Sequence, residues 1–233
     1  MNRRPTVLRS TLCPAQLLGG VSSGDRIGLP EPAYQLGDAG QPAPYPTLLI
    51  AVSDDSGSVT SSGGNDPVAA RYKEMERAFV SVAQAGVARE FGAVVHFDVG
   101  GDADVAPVRL TGRGLRRLRR GLRTPQGGAG SSELGPSLRR AVGLADSYQG
   151  YKTTLVVLSD FELLDPDPRA ILSDLAVFPG EVHAVVLGGQ PHIALLDDRI
   201  AVTTVRPGDA PGAVARALFA SLVAHRPGSL ASK

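Results

Sequence analysis

Residues 48–58 read LLIAVSDDSGS, an apolar run that passes directly into a polar turn. The five apolar residues Leu48 to Val52 are typical of a strand that is buried on both faces, as occurs in parallel sheets. In the turn, Asp54, Ser56 and Ser58 stand at alternate positions, and a glycine between the serines allows a tight bend. Alternate residues of an extended turn can point the same way, so these three side chains can converge on one point.

Strand and helix signals alternate along the rest of the chain. We expect further strands at 93–97, 105–110 (an edge strand), 154–158, 182–187 and 200–205, and helices that begin at Asp66-Pro67 and cover 112–123, 134–145, 168–177 and 211–224. Strands joined by helical crossovers predict an α/β fold: a doubly wound, mostly parallel, Rossmann-like sheet of about six strands with helices on both faces. Ligands of such sheets bind beyond the carboxyl ends of the strands.

Three segments are expected from the composition along the chain. Residues 1–46 contain seven prolines without a sustained hydrophobic period and are predicted to form an N-terminal arm. We expect this arm to lie along the domain surface, with docking on a partner as the alternative. Residues 47–226 form the predicted domain, and residues 227–233 form a short tail.

The overall composition limits the classes of function. Hydrophobic residues make up 42% of the chain, which is enough to bury a core, and a net charge of +1 gives no global case for nucleic acid or membrane binding. The single cysteine excludes an intrachain disulfide and disfavours a cysteine-based zinc site. The four histidines lack metal-ligand spacing, and we expect ordinary surface or core-edge positions for His96, His183, His192 and His225.

The sequence predicts a cytoplasmic protein. No apolar run approaches the roughly 18–20 residues of a membrane-spanning helix. Polar residues interrupt the first 20 residues where a signal peptide would need an apolar stretch. We therefore expect no membrane partner.

Two further polar segments fall where loops at the strand ends are expected. Hydroxyl side chains in residues 130–138 (GSSELGPSL) precede a predicted helix, and the strand 154–158 runs into Ser159 and Asp160. Oxygen ligands of this kind suit a hard divalent cation such as Mg²⁺. Serine, aspartate and glycine also occur in any turn, so the first loop alone is a modest signal.

The three loops together resemble the von Willebrand factor A family and its metal-ion-dependent adhesion site. The family pattern is Asp-x-Ser-x-Ser on the first loop, a threonine on the second and an aspartate after the fourth strand. Asp54, Ser56 and Ser58 match the first loop, and Asp160 matches the third. On the second loop Ser132 takes the place of the threonine, with Ser131 as the alternative.

The third loop departs from the family pattern, because Ser159-Asp160-Phe161 replaces the commoner Thr-Asp-Gly. We therefore expect a different loop shape there. The resemblance covers about residues 47–225 and implies a six-coordinate Mg²⁺ or Mn²⁺. Ser56, Ser58 and Ser132 would supply hydroxyl oxygens, and Asp54 and Asp160 would bind directly or through water.

The function that the resemblance implies is metal-dependent protein binding without catalysis. One coordination position stays open for an acidic residue of a partner protein. Many intracellular bacterial members of the family act beside AAA-type ATPases or in multi-gene assemblies, so such a subunit is a candidate partner by analogy.

Two other classes of function remain as alternatives. A Mg²⁺-dependent phosphoryl-transfer or hydrolytic enzyme would need a phosphate-binding loop or a nucleophile, but neither a P-loop nor a Gly-x-Ser-x-Gly motif occurs. Asp55 is a conceivable nucleophile, and we expect it to point away from Asp54 and Ser56. A metal-free scaffold subunit is the other alternative.

Two charged segments complete the sequence picture. In residues 112–123 three leucines fall on one helical face and arginines on the other, which indicates either a solvated surface helix or a contact for an acidic partner. Nucleic acid is disfavoured there because no aromatic residue is interleaved. Near the third loop, Glu162, Asp165 and Asp167 indicate helix N-terminal acids or a second cation site.

Overall fold

The computed structural model describes residues 34–66, 69–85, 89–97, 103–125 and 130–232. Residues 1–33 of the predicted arm therefore lie outside the described residues. The strands are β1 Gly37–Asp38, β2 Thr47–Ser53, β3 Glu90–His96, β4 Val105–Arg109, β5 Lys152–Ser159, β6 Glu181–Leu187, β7 Ile200–Val205 and β8 Leu230–Ala231. The helices are α1 Gly57–Thr60, α2 Ala70–Gln84, α3 Gly112–Gly121, α4 Gly135–Ser147, α5 Pro168–Ala176 and α6 Ala213–Val223.

Six strands form one sheet in the order β4-β3-β2-β5-β6-β7. All neighbours are parallel except the edge strand β4, which is antiparallel to β3. The strand order reverses at β2, which has β3 on one side and β5 on the other, so β2 is the switch point where ligands bind on such sheets. The predicted doubly wound, mostly parallel α/β fold is confirmed.

Helices cover both faces of this sheet, which explains the unbroken apolar run at its centre. Leu49 and Ala51 of β2 face one core with residues of α2, α3 and α6. Leu48, Ile50 and Val52 face the other core with residues of α4 and α5. Both faces of β2 are therefore buried, as the sequence predicts.

The second helix begins later than expected. The helix α2 starts at Ala70 rather than at Asp66-Pro67, and Pro67 and Val68 lie outside the described residues. Asp66 nevertheless caps the helix, because its carboxylate accepts from the Ala70 and Arg71 amides at 2.8 and 3.2 Å. These bonds satisfy amide donors that the first turn leaves without helical partners.

Residues near and beyond both predicted boundaries of the domain pack against the domain. The strands β1 and β8 pair antiparallel, and Leu36 is buried in one of the two cores. Arg226 forms a buried ion pair with Glu90 at 2.9 Å and also donates to the Ala39 carbonyl. The packed unit thus extends to Tyr34 on one side and past residue 226 on the other. In the described ranges, no helix is both long and apolar enough to span a membrane.

Candidate metal centre

The first loop of the candidate metal site, residues 54–58, is called the first metal loop. It follows β2 at the centre of the sheet. The Asp54 amide donates to the Leu158 carbonyl of β5 at 2.9 Å, which places the ends of these two strands together. Ser56 is the residue before the short helix α1, and its carbonyl accepts from the amides of Val59 and Thr60. The loop therefore turns directly from a strand into a helix, and its side chains collect at the switch point.

Asp54 is fully buried, and both of its carboxylate oxygens already accept hydrogen bonds. The Ser56 amide donates to Oδ1 at 2.8 Å, and the Ser159 hydroxyl donates to Oδ2 at 2.6 Å. Burial raises the pKa of Asp54, the bonds from Ser159 and Ser56 lower it, and the charge of nearby Asp160 raises it. A cation at this place would offset both the desolvation and the repulsion between the two carboxylates.

The Ser56 and Ser58 hydroxyls of the first loop lie within hydrogen-bond distance of each other. Ser56 Oγ lies 3.0 Å from Ser58 Oγ. In octahedral Mg²⁺ coordination with bonds of about 2.0–2.1 Å, adjacent ligand oxygens are about 2.8–3.0 Å apart. The spacing of these two hydroxyls therefore fits two neighbouring positions around one such ion.

The third loop carries Asp160 beside the first loop. Its Oδ1 accepts from the Glu162 amide at 3.1 Å, and its Oδ2 accepts from the Asn65 side chain at 3.3 Å. Phe161 has a φ of 60°, in the left-handed region that favours glycine, and its side chain is buried in the core. At this residue the loop therefore adopts a glycine-like backbone conformation although the family glycine is replaced.

The second loop lies across an open cleft from the first. This cleft of about 740 Å³ is lined by Ser58, Ser131 and Ser132 together with residues of the third loop. The Ser132 carbonyl accepts from the Leu164 amide at 3.0 Å, so the second and third loops are joined. Both serines that the sequence offers as the second-loop ligand therefore face the cleft.

The predicted ligands thus come from three loops at one edge of the sheet. Among the described residues, no group of three or more His, Cys, Asp or Glu side chains could hold a metal ion. A cation at this edge would therefore be bound mainly by hydroxyl groups, with Asp54 and Asp160 as the carboxylates. This donor set fits a hard ion such as Mg²⁺ or Mn²⁺.

Asp55 faces the interior on the opposite side from Asp54, as expected. Its carboxylate lies 2.6 Å from Arg71 Nη2, 2.6 Å from the Tyr72 hydroxyl and 2.7 Å from His96 Nδ1. All four side chains are buried. A nucleophile held in this way could not reach a substrate in the cleft, which argues against a phosphoryl-transfer role for Asp55.

Several residues that support the site are not predicted from the sequence. The Ser159 hydroxyl, at the position of the threonine in the family's Thr-Asp-Gly, donates to Asp54. The Asn65 side chain, which the family pattern does not include, donates to Asp160. Asp165 accepts from the Leu134 and Gly135 amides, both at 2.8 Å, and so fixes the second loop. For Ser159, the signal in the sequence was its position directly before Asp160.

The structure shows the roles of two acids near the third loop and the positions of two histidines. Asp165 and Asp167 serve as caps of helix starts, since Asp167 accepts from the Ala170 amide at the first turn of α5. His96 is fully buried and His183 is nearly so, each within a polar network, whereas core-edge or surface positions were expected. The reason is that hydrogen-bond partners from distant segments surround both rings.

Comparison with known proteins identifies the fold. No protein-family model matches the sequence, and no curated protein matches it. Among solved structures, the pilus adhesin SpaC from Lactobacillus rhamnosus GG matches with a TM-score of 0.60 and 16% identity, over 80% of this chain and 31% of that chain. A von Willebrand factor type A protein from Catenulispora acidiphila matches with a TM-score of 0.53 and 17% identity, over 83% and 49%.

A third match has metal in its site. The proximal thread matrix protein 1 of the mussel byssus, in a structure with a zinc-occupied metal-ion-dependent adhesion site, has a TM-score of 0.51 and 15% identity, over 78% of this chain and 48% of that chain. This chain spans between about a third and a half of the length of these three proteins. Together with the sheet order, these similarities show that the chain has the fold of a von Willebrand factor A domain.

Proposed function

We propose that this chain is a protein-binding domain that holds Mg²⁺ or Mn²⁺ and through it captures an acidic side chain of a partner. The ligands would be Asp54, Ser56, Ser58, Ser132 and Asp160. The observation that carries the proposal is the 3.0 Å separation of the Ser56 and Ser58 hydroxyls beside the buried Asp54 carboxylate. The zinc-occupied adhesion site of the mussel protein supports it as a precedent in the same fold.

The division of roles follows from the hydrogen bonds. Asp54 and Asp160 each have both oxygens in contact with donors, so their position is fixed by the protein. The serine hydroxyls supply neutral oxygens, which leave most of the cation's charge uncompensated. A bound Mg²⁺ supplies Lewis acidity, and with few direct carboxylates it retains affinity for a carboxylate from outside.

The cleft beside these ligands favours a protein partner over a small anion. Leu163 and Leu164 line it together with Pro168 and Leu172, and Leu164 is 71% exposed. A protein surface could bury this apolar side chain while it presents a carboxylate to the metal. The interior position of Asp55 further disfavours the enzymatic alternative.

We also propose that the domain acts in the cytoplasm as part of a multiprotein assembly. The single cysteine, which allows no intrachain disulfide, supports this location. An AAA-type ATPase or another assembly subunit is the candidate partner, by analogy with intracellular bacterial members of the family.

Titration calorimetry with Mg²⁺, Mn²⁺ and Zn²⁺ tests the metal site. We expect wild type to bind Mg²⁺ or Mn²⁺ and the Asp160→Ala and Ser58→Ala variants to lose most of that binding. Asp146→Ala is the matched control, because Asp146 is an exposed acid on α4 away from the loops. Saturation to about 100 times the dissociation constant should add about 2.7 kcal/mol to the free energy of unfolding of wild type.

Partner capture is tested with two peptides that differ in one group. One carries a single glutamate flanked by leucines, and the other carries glutamine in its place. We expect only the glutamate peptide to bind, and a chelator to abolish its binding; pull-downs with and without chelator would then identify the partner. An absence of metal binding by wild type would contradict the proposal and favour the metal-free scaffold.

A further inference from the structure

The helix α3 presents a continuous row of arginines to solvent. All six arginines of this segment are exposed: Arg113, Arg116, Arg117, Arg119, Arg120 and Arg123. The opposite side of the helix is buried through Gly114, Leu118 and Gly121, with Leu118 in one of the two cores. The arginine face is therefore fixed in its outward orientation by the packing of the helix.

These arginines have almost no counter-ions within the described part of the chain. Arg119 pairs with Glu76 of α2 at 2.6 Å, and no other acidic side chain in the described ranges forms an ion pair with the six. The chain has 24 basic residues, so 18 remain elsewhere against 23 acidic ones. The near-neutral net charge thus conceals a strongly basic helix on an otherwise acidic molecule.

His96 connects α3 with the first metal loop. Its Nε2 donates to the Gly121 carbonyl at the end of α3 at 2.8 Å, and its Nδ1 lies 2.7 Å from Asp55 of the first metal loop. The C-terminal end of α3 therefore lies at the same edge of the sheet as the candidate metal centre. Arg120 is in the last turn of the helix, and Arg123 follows it.

We propose that α3 is a docking surface for an acidic segment of a partner protein. Arg113, Arg116, Arg117 and Arg120 are spaced as one stripe, which runs for about 10 Å along the helix at 1.5 Å per residue. This length matches three or four carboxylates on one face of a short acidic helix. Each guanidinium can donate two parallel hydrogen bonds to a carboxylate.

Two observations favour an acidic protein over nucleic acid. The helix carries no aromatic side chain on which a base could stack. Outside the six arginines, acidic residues outnumber basic ones, so the rest of the chain would repel a long polyanion that runs past the ends of the stripe. A short acidic segment would contact only the stripe. The proposal does not depend on metal binding.

The test uses a fluorescent helical peptide with glutamates on one face and a control peptide of the same composition in scrambled order. Both are titrated against the full chain in the presence of chelator, so that the metal site does not contribute. We expect the striped peptide to bind several-fold more tightly than the scrambled one, with an affinity that falls as salt increases.

The variant Arg116→Glu/Arg117→Glu should weaken binding of the striped peptide by about tenfold or more, since each reversal replaces an attraction with a repulsion. The control is Arg89→Glu/Lys152→Glu, which changes net charge equally at two exposed positions beside the amino ends of strands. We expect this control to bind within about twofold of wild type. Circular dichroism and thermal unfolding confirm that both variants fold.

Three results would overturn the proposal. The first is equal weakening in the control pair, which would indicate bulk charge rather than the stripe. The second is an absence of binding, or equal binding of the two peptides by wild type. The third is tighter binding of single-stranded DNA of matching charge than of the striped peptide, which would assign the surface to nucleic acid.

Discussion

Replacing Arg71 with methionine should remove the central cation of the buried network behind the first metal loop. The Arg71 side chain is 1% exposed. Its Nη2 donates to Asp55 Oδ1 at 2.6 Å and to the Asp54 carbonyl at 3.0 Å. Its Nη1 donates to Asp66 at 2.7 Å, and its Nε donates to the Ser53 hydroxyl at 3.1 Å. One side chain thus joins the end of β2, the metal loop and the cap of α2.

The magnitude follows from the groups that lose their partner. Deleting one partner of a buried ion pair typically costs about 3–5 kcal/mol, because the other charge stays buried without compensation. Here that charge is the Asp55 carboxylate, which is fully buried and would keep its contacts with the Tyr72 hydroxyl and His96 but lose its arginine partner. The lost bond to the Asp54 carbonyl adds about 1 kcal/mol. We expect a loss of about 4–6 kcal/mol in the free energy of unfolding, out of the roughly 5–15 kcal/mol typical of a domain.

Urea unfolding followed by circular dichroism measures this loss. Arg113→Met is the matched control, since Arg113 is exposed and forms no ion pair among the described residues, and we expect a change within about 0.5 kcal/mol. If Arg71→Met does not fold, Arg71→Lys retains the charge but not the fork of donors, and it should fold with a smaller loss. A loss below about 1 kcal/mol in Arg71→Met would refute the assignment of Arg71 as the counter-ion of Asp55.

Three further predictions concern packing and pH. Gly114→Ala should destabilise the domain by more than about 1 kcal/mol in urea unfolding, because a Cβ there would lie 1.9 Å from the Arg109 carbonyl oxygen. Gly143→Ala, in the exposed interior of α4 with no atom within 4 Å of the new Cβ, should instead stabilise it by about 0.5–1 kcal/mol. Burial lowers the pKa of His183 below its usual 6.5, so the unfolded chain takes up that proton first as the pH falls. Stability should therefore decline below about pH 6.5, and His183→Gln should flatten that part of a stability-against-pH curve.

The architecture could be predicted from the sequence because its signals are local. The apolar run that becomes β2 is buried on both faces, and the predicted strand 200–205 coincides with β7. The first metal loop could also be predicted from the sequence, because Asp54, Ser56 and Ser58 are nearly contiguous. Alternation of strands and helices was sufficient to indicate a doubly wound, mostly parallel sheet.

The supporting residues could not be predicted, because each interaction joins segments that are far apart in the sequence. Ser159 donates to an aspartate 105 residues earlier, and Asp165 accepts from an amide 31 residues earlier. His96 resembles an ordinary histidine at a strand end until α3 places the Gly121 carbonyl against it. Such pairings depend on strand order, and a single sequence does not specify which strand ends become neighbours.

Asp54 and Asp55 are adjacent in the chain but serve opposite sides of the same loop. Asp54 is oriented by the Ser56 amide and the Ser159 hydroxyl, so its position beside the ligand hydroxyls is set by folding alone. Asp55 is held by Arg71 and neighbouring groups, which anchor the backbone that carries both residues. A loop fixed on both sides loses little further conformational entropy when a cation binds. This preorganisation would allow a ligand set composed mainly of neutral hydroxyls to hold the proposed divalent ion. It is the reason why we expect Arg71→Lys to weaken Mg²⁺ binding although Arg71 is not among the proposed ligands.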